Sequence, residues 1–117
     1  MGFSAADRLR RGDDFRRVQR SGARVQTRHF VCYAQRMTGE ERSRLGITVS
    51  RRVGNAVVRN HVKRRVRECF RLKLRSMLPT GASIVVIARV GAGELSMRAI
   101  ETELHSAAAN LSNRLRG

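Results

Sequence analysis

The side chains that could cleave a phosphodiester bond are few and scattered along this chain. Its 117 residues include nine acidic residues and three histidines. A nuclease centre needs either clustered carboxylates that hold a metal ion or an acid–base pair within hydrogen-bonding distance. The acids fall mostly in predicted caps and loops, and His29, His61 and His105 fall on different predicted elements. Cys–His metal spacings and P-loop glycines are also missing. We therefore predict no catalytic residue and no metal ligand in the protein itself.

A long cationic segment, by contrast, has the composition of a polyanion-binding surface. Residues 50–75 hold ten Lys or Arg and one acid, Glu68, a local charge of 10 − 1 = +9 out of +16 for the chain. From Val57 onward the spacing predicts a helix with one apolar and one polar side, at about 100° per residue. The predicted apolar side contains Val58, Val62, Val66, Cys69 and Leu72. The opposite side contains Arg59, Asn60, Lys63, Arg64, Arg67, Arg71 and Arg75.

This charge pattern favours a nucleic-acid-binding face over a merely solvated one. A solvated helix face normally mixes charge signs and sets Glu four residues from Lys or Arg, whereas this face is almost purely cationic. No apolar run approaches the roughly 18 residues of a membrane-spanning helix, and residues 1–6 lack the layout of a signal peptide. We therefore predict a cytoplasmic protein with no membrane partner. Cys32 and Cys69 are predicted to be reduced core thiols.

The segment from Val49 to Arg71, VSRRVGNAVVRNHVKRRVRECFR, resembles the signature of the bacterial ribonuclease P protein subunit. That family has a helix with the pattern Arg-Asn-x-x-Lys-Arg-x-x-Arg-Glu-x-Phe-Arg, entered through a Gly-x-Ala-Val loop. Both parts are present here, the helix from Arg59 and the loop from Gly54. The resemblance extends to the Arg-Leu-x-x-x-x-x-Phe pattern that ends at Phe15, and it covers nearly the whole chain.

The resemblance implies an accessory subunit of the ribonucleoprotein that removes the 5′ leader from precursor tRNA by Mg²⁺-dependent hydrolysis. The catalytic centre would lie in the RNA subunit. The partners would be the ribonuclease P RNA and precursor tRNA, with no obligate protein partner indicated. The residues implied to contact the RNA subunit, here named the basic strip, are Arg59, Asn60, Lys63, Arg64, Arg67 and Arg71. The residues implied to contact the leader are Phe15, Gln19, Tyr33, Ser50, Arg51 and Arg52.

Three of these positions, and Gly54 of the loop before the central helix, leave alternatives open. Phe15 and Tyr33 match family aromatics on which unpaired leader bases would stack, although Phe15 is at least as well explained by core packing. Tyr33 is better placed for stacking, because it lies on the face of a predicted strand opposite Phe30. Family members commonly have an aromatic where this chain has Gln19, so a polar contact could replace a stacking one. Gly54 precedes a helix N-terminus and is either a turn glycine or part of a phosphate site.

The elements that position these side chains follow from local patterns. A short first helix is predicted to be capped by Asp13 or Asp14 and ended by Gly22. Arg24–Met37 is strand-like, residues 38–43 are predicted to form a hairpin loop, and the next strand covers residues 45–50. The central helix stops before Pro79. Residues 83–89 read as a strand covered on both faces, and Ser96 is predicted to cap the last helix.

These elements predict one α+β domain over residues 1–117, with residues 1–7 flexible. The order is α-β-β(-β)-α-β-α around a small mixed sheet, in which strand, crossover helix and strand form a parallel pair. Physical rules predict a right-handed crossover. The resemblance implies a left-handed one, as in the second domain of ribosomal protein S5. Two alternatives to ribonuclease P are a structural ribosomal protein without linked catalysis and a helix-turn-helix DNA binder. The second is disfavoured, because a strand precedes the central helix.

Overall fold

One mixed sheet of four strands organises the chain. The computed structural model describes residues 8–9, 12–36 and 42–116. The strands are β1 (Ala23–Gln26), β2 (Phe30–Arg36), β3 (Arg44–Val49) and β4 (Ala82–Ala88). Their order in the sheet is β1-β2-β4-β3, with β1/β2 and β2/β4 antiparallel and β3/β4 parallel. The predicted α+β class, mixed sheet and parallel crossover pair are confirmed, and the handedness of the crossover stays a prediction.

The helices pack on both faces of this sheet. They are α1 (Gly12–Ser21), α2 (Ala56–Cys69), a π-helical turn (Phe70–Leu74), α3 (Arg75–Met77) and α4 (Met97–Arg116). Helices α2 and α4 cover one face and enclose the main core, which includes Phe30 and Cys32 of β2. Helix α1 covers part of the other face, where Val18 and Leu9 pack on Val85. Strand β4 lies between these two layers, and six of its seven residues are buried, as the apolar run predicted.

Alternation along β2 divides its side chains between the two faces. Phe30, Cys32 and Ala34 are buried in the main core, whereas Val31 and Tyr33 are half-buried on the face of α1. Both cysteines are free and buried. Burial raises the pKa of Cys32 to about 12 and that of Cys69 to about 11. Both side chains are therefore neutral thiols at physiological pH, in agreement with the sequence prediction.

Two predictions about chain ends and turns are corrected. Helix α1 begins at Gly12, so Asp13 and Asp14 are residues of its first turn and not its N-cap. Its predicted end is right, because the Gly22 N–H donates to the Val18 carbonyl at 2.9 Å. The loop that follows β2 does not close a hairpin, since β4 lies between β2 and β3. Residues 37–41 of that loop, like the N-terminal residues 1–7, lie outside the described residues.

The strand-like region from Arg24 to Met37 contains two strands, which supplies the third strand that the predicted order left optional. Strands β1 and β2 form the hairpin of the sheet, with Tyr33 opposite Arg24. The turn between them closes through the Thr27 N–H, which donates to the Phe30 carbonyl at 2.8 Å. This turn brings Arg28 to the end of the sheet where β3 and β4 also finish.

The central helix confirms most of its predicted apolar side, with one error. Val62, Val66 and Cys69 are buried, but Leu72 is 54% exposed. The π-helical turn adds an extra residue to one turn of the helix, so the side that faces the core shifts. Phe70 and Leu74 take the buried positions instead. The helical region ends at Met77, two residues before Pro79, as predicted.

The last helix has the cap that its sequence predicted. The Ser96 hydroxyl accepts a hydrogen bond from the Ala99 N–H at 3.1 Å, which is the expected N-cap contact. Ile100, Leu104 and Leu111 are buried in the main core. This packing places α4 beside α2 and fixes the orientation of the cationic helix on the sheet.

Candidate nucleic-acid interface

The N-terminus of α2 is built by a side-chain cap and two closely packed glycines. The Asn55 side chain accepts a hydrogen bond from the Val58 N–H at 3.0 Å, which starts the helix. Added Cβ atoms at Gly54 and Gly93 would come within 2.7 and 2.5 Å of the Val58 side chain. Close packing therefore accounts for Gly54, and the phosphate interpretation stays a prediction.

The cations of residues 50–75 divide into structural and outward-facing groups. The Arg65 guanidinium donates to the Leu95 carbonyl at 2.6 Å, and Lys73 pairs with Glu101 at 3.0 Å. The Arg75 guanidinium lies 5.1 Å from the centre of the Phe70 ring. These three cations hold the helix to itself and to α4. Helical spacing alone placed Arg75 on the same side as the basic strip.

None of the six residues of the basic strip is among the buried side chains of the helix. Asn60 and Arg64 are exposed, and the other four are half-buried. They recur at spacings of three or four residues, whereas Val62, Val66 and Cys69 point into the core. One face about 20 Å long, from residue 59 to 71 at roughly 1.5 Å per residue, therefore carries the cations of the strip.

Neighbouring charged groups affect two residues of the basic strip, the pKa of Arg67 and the net charge around Arg71. Burial lowers the pKa of Arg67, and the neighbouring Arg8 guanidinium lowers it further. Arg8 pairs with Leu45 of β3 through an isolated backbone β-bridge. The cationic surface therefore extends toward β3. Arg71 donates to Glu68 at 2.5 Å, and this hydrogen bond lowers the pKa of Glu68. The one acid of the segment thus neutralises one end of the strip and leaves the rest positive.

A row of side chains crosses the sheet on the face of α1. Cross-strand register places Arg24 beside Tyr33, Tyr33 beside Val85, and Val85 beside Gly46. Val31 and Ile87 form the next row along the same face, and both are only partly buried. Helix α1 therefore leaves part of this face open, with an apolar floor beside the tyrosine.

Tyr33 is held at this open face by Arg24. The Arg24 Nε donates to the Tyr33 hydroxyl at 3.2 Å, and the guanidinium carbon lies 5.9 Å from the ring centre. The Arg24 carbonyl in turn accepts from Arg114 of α4 at 2.6 Å. The tyrosine ring is thus oriented next to a cation, which suits an aromatic platform for a nucleobase with its phosphate nearby.

Phe15 combines both of the roles considered from the sequence. Its ring packs against Gly46, where an added Cβ would come within 2.5 Å of the ring. It also belongs to the second core cluster, together with Val18 and Tyr33, yet it is only half-buried. Phe15 is about two strands from Tyr33, or roughly 10 Å. Gln19 is exposed on the same helix.

The remaining predicted leader residues lie at the end of the sheet. Ser50, Arg51 and Arg52 are exposed and immediately follow β3. The structure adds two arginines that sequence reasoning missed. Arg28 and Arg89 line a cavity of about 320 Å³ together with Ser50, Arg52 and Val90. In the sequence, Arg28 and Arg89 are marked only by lying next to the end of a strand. Their proximity could be inferred only once the order of the strands in the sheet was known.

Within the described part of the chain, the acids and histidines do not gather into a metal-binding cluster. No group of three or more His, Cys, Asp or Glu side chains there could hold a metal ion. The carboxylate of Glu103 binds His29 and Thr27, while Glu68 and Glu101 pair with cations. Mg²⁺ requires free oxygen ligands, so this donor set does not fit a magnesium site.

The described helices also bear on membrane insertion. None of them combines the length and the apolar character that crossing a lipid bilayer would require.

Comparisons with known proteins agree with this geometry. The sequence profile of the Ribonuclease P family matches residues 3–112. A ribonuclease P protein component from Syntrophobacter fumaroxidans is 45% identical over 103 residues, covering 87% of this chain and 85% of that protein. One from Brevibacillus brevis is 39% identical over 97 residues, covering 83% and 76%.

Solved structures show the same relationship. The ribonuclease P protein of Staphylococcus aureus superposes with a TM-score of 0.80 at 34% identity, covering 91% of this chain and 97% of that one. The protein from Thermotoga maritima gives a TM-score of 0.77 at 34% identity, covering 88% and 96%. The family profile, the sequence relatives and the fold therefore agree, and the chain belongs to the ribonuclease P protein family.

Proposed function

We propose that this chain is the protein component of ribonuclease P and assists removal of the 5′ leader from precursor tRNA. One observation carries the proposal: the molecule has two separate surfaces suited to RNA. The basic strip lies on α2 and the π-helical turn that continues it, and α2 packs on one face of the sheet. Phe15 and Tyr33 lie on the other face. One molecule can therefore hold a folded RNA and a single strand at the same time.

The basic strip is the proposed contact with the ribonuclease P RNA. Its arginines offer planar guanidinium groups that bind phosphate oxygens through two hydrogen bonds. Each bound phosphate releases counterions, so binding should weaken steeply with salt. A rigid helix also fixes the spacing of the charges, which favours a folded RNA over a flexible polyanion.

The face of Phe15 and Tyr33 is the proposed contact with the leader. Unpaired bases stack on aromatic rings regardless of sequence, because every base has a π-face. Ser50, Arg51 and Arg52 would bind the backbone of the strand as it leaves this face, and Gln19 would supply a polar contact. Substrates that carry a leader would thereby bind more tightly than mature tRNA.

Catalysis is proposed to lie in the RNA subunit. The ribonucleoprotein would use Mg²⁺ held mainly by that RNA, since the described acids here do not form a magnesium site. The protein would orient and retain the leader so that the scissile phosphate stays in the RNA active site. We propose that this activity is cytoplasmic.

Reconstitution tests the proposal. The purified protein is combined with a bacterial ribonuclease P RNA, and cleavage of precursor tRNA is measured at low Mg²⁺ with each component alone and with both. We expect cleavage that depends on the RNA and is stimulated by the protein, and no cleavage by nuclease-free protein alone. Cleavage by the protein alone that is lost in a His29 or His61 variant would contradict the proposal.

A structural ribosomal protein is the competing class. It would bind folded RNA through the same strip but would neither stimulate cleavage nor distinguish precursor from mature tRNA. The aromatic face on the far side of the sheet favours ribonuclease P, because a purely structural binder needs no platform for a single strand.

A further inference from the structure

Two adjoining cavities lie at the end of the sheet where β3 and β4 finish. The first, of about 320 Å³, is lined by Arg28, Ser50, Arg52, Arg89 and Val90. The second, of about 370 Å³, is also lined by Arg52 and Val90, and its further lining residues are Val53, Val58, Gly91, Gly93 and Glu94. Because they share two side chains, the cavities meet at Arg52 and Val90.

The first cavity has the chemistry of a phosphate site. Its three arginines come from three separate segments, the β1–β2 turn, the 3-10 turn after β3 and the residue after β4, and none of its lining residues is acidic. Guanidinium groups that converge from several directions can share the oxygens of one phosphate.

The backbone that carries two of these arginines is fixed by hydrogen bonds. The Arg89 N–H donates to the His29 carbonyl at 2.8 Å. The Glu103 carboxylate binds the turn that contains Arg28, accepting from the Thr27 hydroxyl at 2.6 Å and from the His29 N–H at 2.9 Å. The backbone segments that carry Arg28 and Arg89 are therefore held close together without a ligand.

The second cavity has the chemistry of a base site. Its walls are the aliphatic side chains of Val53, Val58 and Val90, and Val90 is 66% exposed. Gly91 and Gly93 also line it and contribute no side chain to fill it. Glu94 is its one acid, and a carboxylate there can accept a hydrogen bond from an exocyclic amino group of a base.

We propose that the paired cavities bind one unpaired nucleotide. Its phosphate lies between Arg28, Arg52 and Arg89, and its base lies against Val90 with an amino group toward Glu94. The identity of this nucleotide as part of the leader rests on the proposed function. Cytosine, adenine and guanine carry an exocyclic amino group and uracil does not, so the site disfavours uridine.

The test uses holoenzyme reconstituted with a bacterial ribonuclease P RNA. Dissociation constants are measured for two precursor tRNAs that differ only in the leader, all cytidine or all uridine, and for mature tRNA. We expect wild-type protein to bind the cytidine leader about tenfold more tightly, the order of one charged hydrogen bond. Glu94→Gln should reduce this preference severalfold and leave mature tRNA binding unchanged.

The phosphate and base halves are tested separately. Arg89→Ala should weaken both leaders equally and reduce the slope of log K against log salt by about 0.7. Val90→Ser should weaken both leaders, whereas Val57→Ser should not alter the difference between precursor and mature tRNA. Val57 is a matched control, since it is 65% exposed and Val90 is 66% exposed, yet it does not line either cavity.

A Tyr33→Ala arm separates this subsite from the general function. If Tyr33→Ala weakens precursor binding but Glu94→Gln, Arg89→Ala and Val90→Ser do not, the subsite is overturned and the proposed function stands. If no variant, including Tyr33→Ala, changes binding of either leader, both are overturned. Equal binding of the cytidine and uridine leaders by the wild-type protein would also overturn the role of Glu94.

Discussion

The ring of Phe15 on α1 lies directly against the backbone of Gly46 on β3, with the Cζ atom 2.5 Å from where a Cβ would stand. This contact joins the first helix to the edge strand of the sheet. It also sets the height of the Phe15 ring above the face that carries Tyr33. One small residue therefore determines both the packing of α1 and the position of an aromatic platform.

Substituting Gly46→Ala should lower the free energy of unfolding by about 1–3 kcal/mol, because the new methyl group overlaps the Phe15 ring. Denaturant unfolding measures the loss. Phe15→Ala provides the control background: with the ring removed, Gly46→Ala should cost much less. If the two substitutions were simply additive, the contact between Phe15 and Gly46 would not be the cause.

Substituting Tyr33→Ala should weaken binding of precursor tRNA by the holoenzyme by about 1–3 kcal/mol for each base that no longer stacks on the ring. Binding of mature tRNA should not change. Tyr33→Phe is the matched control, since it keeps the ring and removes only the hydroxyl that accepts from Arg24. Equal losses for both tRNAs with Tyr33→Ala would remove this residue from the leader site.

Reversing Arg64 and Arg67 to Glu should weaken binding to the ribonuclease P RNA while circular dichroism of the protein stays unchanged. Both residues lie on the outward side of α2. The slope of log K against log salt should become shallower by about 0.7–0.9 for each phosphate that the variant no longer binds. A filter-binding titration over a range of salt concentrations checks both effects.

The opposite side of the same helix supplies the control. Val62→Asp or Val66→Asp should unfold the protein, because each places a charge without a partner in the main core. Circular dichroism that did not distinguish the Asp variants from the Glu variants would mean that the two sides of α2 were assigned wrongly.

Removing the Glu103 carboxylate should loosen the β1–β2 turn. Glu103→Gln is expected to cost about 1–3 kcal/mol of folding stability, since hydrogen bonds from Thr27 and His29 lose their charged acceptor. Hydrogen exchange at the His29 amide should rise more than exchange at amides in the centre of β4. Uniform changes at both places would indicate a global effect and not a local one.

The same carboxylate predicts a pH dependence. Burial alone would raise the pKa of Glu103, but its hydrogen bonds from Thr27 and His29 outweigh burial, and the pKa falls below its usual value. The stability it adds is therefore fully present above its ordinary pKa of about 4.3 and is lost as pH falls through the lower folded value. Wild-type protein should lose more stability than Glu103→Gln as pH falls from about 5 to about 3, measured by urea unfolding.

Helices and their caps could be predicted from the sequence, because the residues that determine them lie within a few positions of one another. The burial of Val62, Val66 and Cys69 follows from helical spacing, and the Ser96 cap follows from side-chain chemistry at one position. Leu72 was assigned wrongly because the π-helical turn shifts the phase of the helix. Its sequence, FRLKL, carries no periodic signal that distinguishes it from an α-helical continuation.

Relationships between distant segments could not be predicted in the same way. Placing Gly46 beneath Phe15 requires knowing that α1 packs over β3. Bringing Arg28 next to Arg89 requires the order β1-β2-β4-β3, whereas adjacency in sequence suggested a hairpin between β2 and β3. The six residues of the basic strip could be proposed together from the sequence because they lie on one continuous helical segment, although their contact with RNA stays a prediction.

The sheet order has a consequence for how the chain reaches its native state. Strand β4 lies between β2 and β3 but is the last strand to be synthesised, so contacts between distant segments dominate the fold and slow its formation. Until Ala88 has been added, β2 and β3 lack their common partner, and α2 has only part of the surface it packs on. The nascent chain therefore carries its dense positive charge before it has a stable sheet. A chain cut before Ala88 should therefore lose both proposed RNA-binding surfaces together.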